Sequence, residues 1–201
     1  MPEEWRTGTN QMVTDASSIL GADVVFDSSI SVGAFCVLGV DGPAPPLTVG
    51  ADSTIRSHSV LYRGTSIGRH FHAGHGVLIR EFCSIGSGVS IGSHSILEHN
   101  VTVEDDVRVH SGCFVPEHSV LEDGAWLGPG VIVTNARYPN RPDTKDNLEG
   151  VRVSRAAVVG AGAVLLPGVT IGAGAMVGGG AVVTSNVDAG VTVAGNPAVP
   201  L

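Results

Sequence analysis

Lysine is almost missing from this chain. It occurs once in 201 residues, at Lys145, and Lys and Arg together number 11 against 19 Asp and Glu, a formal net charge of −8. With no basic stripe to displace counterions from a phosphate backbone, no nucleic-acid partner is expected. Long apolar runs are also absent, because Gly breaks each one early. The first ten residues carry Glu3, Glu4 and Arg6. Neither a signal peptide nor a membrane span is therefore expected, and the reading is a cytoplasmic protein with no membrane partner. Aromatic residues are scarce, at 4%, so the 43% hydrophobic content is mostly aliphatic.

What the chain does have is a beat of six. Every sixth residue from Val49 to Val133 is apolar, including Ile55, Leu61, Ile67, Ala73, Ile79, Ile85, Ile91 and Leu97. The same spacing runs through Leu20, Phe26, Val32 and Leu38, and returns from Val153 to Val183. Six fits neither a helical period nor simple strand alternation, so it is a repeat signature. Four residues after each beat stands a second series, small or apolar, such as Ser53, Ser59, Thr65, Val77 and Cys83; Phe71 alone breaks it. The positions between are rich in Gly, Ser, Asp and His, as tight turns between short strands require. Three hexads make one triangular coil, so residues eighteen apart stack at about 4.8 Å along the axis. Cys36, Cys83 and Cys113 all fall on the second series and read as small core residues; no disulfide and no metal site is expected.

This pattern resembles the hexapeptide-repeat family, over roughly Asp15 to Pro197. The resemblance implies an all-β fold, a left-handed parallel β-helix with one long extruded loop. Its hand is an exception to the usual right-handed crossover. A single domain over residues 1–201 is expected, with a lead at 1–12, an extruded loop at 134–152 and an end segment at 184–201. A small Pro-rich excursion, VDGPAPP, resets the register at Val40 to Pro46.

The loop, TNARYPNRPDTKDNLEGVR, interrupts the coil and concentrates polar residues, which is where a rigid scaffold places site walls. Its segment LGPGVIVTNARYPNRP resembles hexapeptide N-acetyltransferases acting on nucleotide-linked amino sugars. That likeness implies acceptor contacts from Asn135, Arg137, Tyr138 and Arg141, with Glu98 beside them. Ala136 stands where an acidic residue would be expected. The Gly195-Asn196-Pro197-Ala198 run resembles the end of the acyltransferase branch. It implies acetyl-CoA as co-substrate between subunits of a homotrimer, beside Asn196 and Pro197. Gly160, Ala161, Gly178 and Gly179 would let a pantetheine arm approach the backbone. A basic residue usually follows that run, whereas here Val199, Pro200 and Leu201 do. Phosphate contacts would come from Arg152, Arg155 or Lys145.

Coil arithmetic places Arg63, Glu81, His99, Glu117 and Asn135 in one corner column, and His58, His75, His94 and His110 at a second corner. In a three-fold assembly the corner of one rod can face a different corner of its neighbour. His99, between Glu81 and Glu117, is a candidate general base, and His75 is its rival. The expected function is acetyl transfer to an amino group of a nucleotide-linked deoxyamino sugar. Two alternatives are an O-acetyltransferase of a sugar or antibiotic, and a zinc enzyme of the γ-carbonic anhydrase type, suggested by the His94-x4-His99 spacing.

Overall fold

The computed structural model describes residues 13–40 and 44–201; the expected lead over 1–12 and the middle of the Pro-rich turn lie outside the described residues. Each hexad folds as a strand of two residues followed by a turn. In one coil Ser90–Ile91, Ile96–Leu97 and Thr102–Val103 lie on three successive faces of a prism. Pairing is parallel, and partners stand eighteen apart: His72 with Ser90 on the first face, Leu78 with Ile96 on the second and Ser84 with Thr102 on the third. The result is a left-handed parallel β-helix of about ten turns.

The beat marks the strand residue that points inward. From Val49 to Val133 each beat residue is at most 4% exposed. The second series is buried with it, because the turn brings the chain back over the axis. Phe71, the break in the second series, lies in the core. It is fully buried, and the short side chains of Ser53 one coil before it and Ala73 two residues on give it room. Leu20, expected inward, is 38% exposed, because it belongs to the first described coil and no other described coil stacks on its outer side.

Turns recur with the same period as the strands, since each needs one residue in the left-handed region. Gly fills it at Gly64, Gly76 and Gly88. His, Asn and Asp, which tolerate positive φ best among the other residue types, fill most of the non-Gly positions, and Ser29, Phe35, Phe82 and Ala156 fill the rest. His58, His70, His94 and His118 occupy this position, with φ of 64°, 56°, 59° and 66°. Their place in the sequence has a backbone reason.

Inside the prism, buried hydroxyls and thiols tie one coil to the next. Ser95 Oγ donates to the His110 carbonyl at 2.9 Å and accepts from the Cys113 amide at 3.1 Å. Thr65 Oγ1 does the same with the Arg80 carbonyl and the Cys83 amide. The Cys36, Cys83 and Cys113 thiols are free, buried and aimed at carbonyls of the next coil. Burial pushes the Cys83 thiol up to about 11, so it stays protonated and unreactive at neutral pH.

Three departures from eighteen shape the rod. Val37 pairs with Val60, a spacing of twenty-three across the Pro-rich turn. Val120 pairs with Arg152 and Trp126 with Val158, a spacing of thirty-two that leaves fourteen residues to the loop. The loop contains one short 3-10 helix, Thr144–Asn147. Near the end, Met176 pairs with Thr192, and the final strand Ala198–Pro200 folds back antiparallel on Thr192–Gly195. Asn196 and Pro197 therefore form the tip of a hairpin.

Phe71→Ala would leave a cavity in a core with few other large side chains. It is expected to lower the unfolding free energy by about 3–5 kcal/mol in urea titrations followed by circular dichroism.

Candidate functional site

The corner between the second and third faces carries a connected polar network. Coil stacking puts Arg63, Glu81, His99, Glu117 and Asn135 one above another, as the register of Val60, Leu78, Ile96, Phe114 and Ile132 dictates. His99 Nε2 lies 3.3 Å from Glu117 Oε1. Asn135 Nδ2 donates to the other carboxylate oxygen, Glu117 Oε2, at 2.7 Å. On the far side of the imidazole, Asn100 Nδ2 sits 2.8 Å from His99 Nδ1. An amide nitrogen can only donate, so Nδ1 is the bare nitrogen and the proton of neutral His99 is on Nε2, facing Glu117. Sequence reasoning found His99 and Glu117 but missed Asn100, whose only visible role was that of a turn residue.

This arrangement fixes a tautomer in which the Nδ1 lone pair accepts from the Asn100 amide. A proton arriving at Nδ1 would displace the Asn100 amide, and the resulting imidazolium would be held by Glu117. Burial works against the Glu117 carboxylate. A backbone hydrogen bond, the Asn135 amide and the charges of His99 and His118 outweigh it and hold its pKa below the ordinary value. Glu81 behaves similarly: burial raises it, but a backbone hydrogen bond, the Arg80 guanidinium and His99 bring it down. Arg80 is bound by Glu81 at 2.8 Å and by Glu98 at 2.8 Å, and its guanidinium lies near the Tyr62 ring. Glu98 is thus committed to Arg80.

The loop rises from this same corner. Asn135 is 9% exposed and anchors the loop's root, because the Glu149 amide donates to its carbonyl at 2.8 Å. Beyond it, Arg137, Tyr138, Arg141, Thr144 and Glu149 surround a cavity of about 200 Å³. Arg141 lies over the Tyr138 ring at 4.2 Å, and Arg137 donates to the Pro167 carbonyl at 3.1 Å. Three of the expected acceptor-binding residues, Arg137, Tyr138 and Arg141, thus share one cavity next to Asn135.

Other candidates stand apart within one chain. His75 lies on the corner between the first and second faces, where Ser57 Oγ meets its Nδ1 at 2.9 Å. Gly160, Ala161, Gly178 and Gly179 lie lower on that corner. Gly160 has a packing role there, since a Cβ would fall 2.4 Å from the Gly179 nitrogen of the next coil. Arg152 is on the third face, held by Glu122 at 2.5 Å, and the Arg155 amide donates to the same carboxylate. His94 and His99, five residues apart, are on different corners and do not converge.

Comparison with known proteins agrees with the repeat. Residues 82–117 match the family model described as bacterial transferase hexapeptide (six repeats), a stretch that includes Glu98, His99 and Glu117. No curated protein sequence matches the chain. Among solved structures, the Arabidopsis UDP-N-acetylglucosamine acyltransferase is similar with a TM-score of 0.60 and 16% identity, over 94% of this chain and 73% of that one. A maltose O-acetyltransferase from Clostridium difficile 630 gives a TM-score of 0.51 and 21% identity, over 58% of this chain and 66% of that one. The acetyltransferase domain of PglB from Neisseria gonorrhoeae FA1090, in complex with acetyl coenzyme A, gives 0.47 and 17%. The match covers 92% of this chain but only 58% of that domain. The two neighbours with TM-scores above 0.5, named as an acyltransferase and an O-acetyltransferase, share the fold described above.

The depressed Glu117 pKa ties the corner to stability. A carboxylate whose folded pKa lies below its unfolded value contributes stability above about pH 4.5, and that contribution is lost as pH falls through the folded value. Wild-type melting temperature should therefore drop between about pH 5 and pH 3. Glu117→Gln should melt lower at pH 7 and fall less steeply over that acid range in differential scanning fluorimetry.

Proposed function

We propose that the chain is an acetyl-CoA-dependent acyltransferase that works as a cytoplasmic homotrimer and acetylates an amino group of a nucleotide-linked deoxyamino sugar. The observation that carries this reading is the relay Asn135–Glu117–His99 at the root of the loop, with the basic nitrogen of His99 held on the side away from Glu117 by the Asn100 amide, which a proton would displace. In the proposed reaction the acceptor amine, neutral at the moment of attack, adds to the thioester carbonyl. Its departing proton passes to His99 Nδ1, and the CoA thiolate leaves as the C–S bond breaks and then takes up a proton. Glu117 stabilises the imidazolium between those steps, and a backbone N–H near the loop polarises the carbonyl oxygen. Arg137, Tyr138 and Arg141 line the space where the acceptor would sit.

The outer surface of the second face supports the trimer. Val60, Leu78, Ile96, Phe114, Ile132, Val164 and Val182 form an unbroken apolar stripe along its middle, with Ile132 46% exposed. The matching outward positions on the first face are mixed, polar at Thr54, His72, Ser90 and Arg108 and apolar only from Trp126 through Val158 to Met176. An apolar stripe of this length on one face of a soluble rod marks an interface. Three copies turning that face to a common axis would bury it. By geometry, the corner of one copy that bears His75 and Gly160 would then meet the next copy's corner that bears His99 and the loop. The donor arm would run along Gly160, Ala161, Gly178 and Gly179, beside the Asn196–Pro197 hairpin tip, with Arg152, Arg155 and Lys145 available to its phosphates.

Thiol release from acetyl-CoA, measured across a panel of nucleotide-linked amino sugars, tests the chemistry. His99→Ala should lower turnover by about 10²–10⁴-fold if it is the base. The same loss in His75→Ala alone would move that role to His75, and wild-type turnover in both variants would end the assignment. Phe114→Asp should convert the trimer to monomer in sedimentation velocity without changing the far-ultraviolet spectrum.

A further inference from the structure

The Pro-rich turn and the long loop leave the prism at the same corner, the one that bears His99. The turn joins Val37–Val40 on the second face to Leu47–Val49 on the third, and the loop joins Ile132–Val133 to Arg152–Val153. Val40 stacks on Tyr62, and Arg80 and Glu98 follow it at eighteen. His99 is therefore three coils past the turn and two before Asn135, about 14 Å and 10 Å at one inter-strand spacing per coil. The loop supplies a polar wall at one end of this stretch. At the other end stands Phe82.

Phe82 is an unusual occupant of its turn. Its φ is 60°, in the left-handed region, at the position that Gly64, Asn100 and His118 fill in the coils around it. Those residue types enter this region readily, whereas a bulky side chain there is an outlier. Among the described residues Phe35 is the other large apolar case, and its ring packs against His58 at 5.2 Å. The Phe82 ring leans back over Gly64, where a Cβ would fall 3.0 Å from Phe82 Cδ1 and 3.3 Å from Ala44 Cβ of the Pro-rich turn. Gly64 and Ala44 back one side of it, and Phe82 remains 48% exposed. Backbone strain that presents an apolar ring to solvent is the kind of cost that binding sites retain.

We propose that Phe82 is the platform for the apolar face of the acceptor sugar and selects a deoxyhexose over its hydroxylated counterpart, a role that rests on the acetyl-transfer reading. Asn100 is the equivalent of Phe82 one coil on, and its amide occupies His99 Nδ1. An acceptor amine that takes the place of that amide puts its own sugar ring within one to two coils of the Phe82 ring, the reach of a single hexose. A nucleoside, held off by the intervening diphosphate, would extend the other way, toward Arg137, Tyr138 and Arg141. The C–H groups on one face of a hexose and the methyl group of a deoxyhexose are apolar, so covering them with Phe82 removes both surfaces from water. A hydroxyl on that methyl carbon would be desolvated against the ring. The polar groups nearest in the column are already engaged, Glu81 with Arg80 and Arg63 with Asp23.

Thiol release from acetyl-CoA with two nucleotide-linked amino sugars, differing only in a methyl or a hydroxymethyl group at C6, tests the assignment. Wild type should favour the methyl form by about tenfold in kcat/KM. Phe82→Asn, which gives this turn the residue used at Asn100, should raise the KM for the methyl acceptor by about tenfold with kcat within about twofold, and should cut the preference to about twofold. The KM for acetyl-CoA should stay in place. Because the strain is relieved, the melting temperature of Phe82→Asn should equal or exceed that of wild type. Phe82→Tyr, which keeps the ring, should keep the preference. Equal use of the two acceptors by wild type would overturn the proposal. So would a fall in melting temperature or a loss of the trimer in Phe82→Asn with the acceptor KM unmoved, since the ring would then only hold the Pro-rich turn or a neighbouring copy. Turnover with acceptor KM and preference unmoved removes this role alone, whereas no wild-type turnover of any nucleotide-linked amino sugar removes the acetyl-transfer reading and this role with it.

Discussion

Everything in this molecule depends on one coil landing in register on the next. The backbone amides of each strand donate to the coil that follows, so a side chain's neighbour is the residue eighteen positions on. Hydrogen bonds from Ser59, Thr65, Ser95 and the three cysteines repeat that registration inside the prism. At the corner of the third and first faces the Asp105 and Asp123 carboxylates repeat it outside, each accepting an amide from the coil before. Chemistry is therefore arranged in columns. Residues that look scattered along the chain become vertical ladders, and a polar side chain is supported or isolated according to what stands above and below it.

The coil was legible because an inward side chain is needed at every sixth position, and Ile, Leu and Val supply it almost without exception. The corner column could be read for the same reason: Glu81, His99, Glu117 and Asn135 are spaced by eighteen, and the structure stacks them. Hydrogen-bond direction was not legible. Which nitrogen of His99 faces Glu117 follows from Asn100, an adjacent residue that carries no signal in a periodic reading. Phe71 looked like a break because size was judged one position at a time, whereas the core accommodates it with the small Ser53 and Ala73 around it.

Two features escaped the sequence reading even though the letters were present. The outward position of each second-face strand is apolar from Val60 to Val182, but attention to inward residues hid a ladder on the outside. Phe82 falls on a turn position, and nothing in its neighbours along the chain shows that it is both strained and exposed. Histidine, by contrast, was legible as a turn residue. Four of the eight fill a left-handed turn position, where the backbone selects them before any chemistry does.

The loop between Val133 and Arg152 leaves the prism and returns to it without shifting any face relative to its neighbours. Trp126 still pairs with Val158 and Ile132 with Val164, as though the fourteen extra residues were not there. Closing a longer excursion costs little more than closing a short one, because the entropy grows only with the logarithm of length. A scaffold with that property separates the evolution of recognition from the evolution of stability. Residues such as Tyr138 and Arg141 can be exchanged, or the excursion lengthened, while the rungs on either side keep their places.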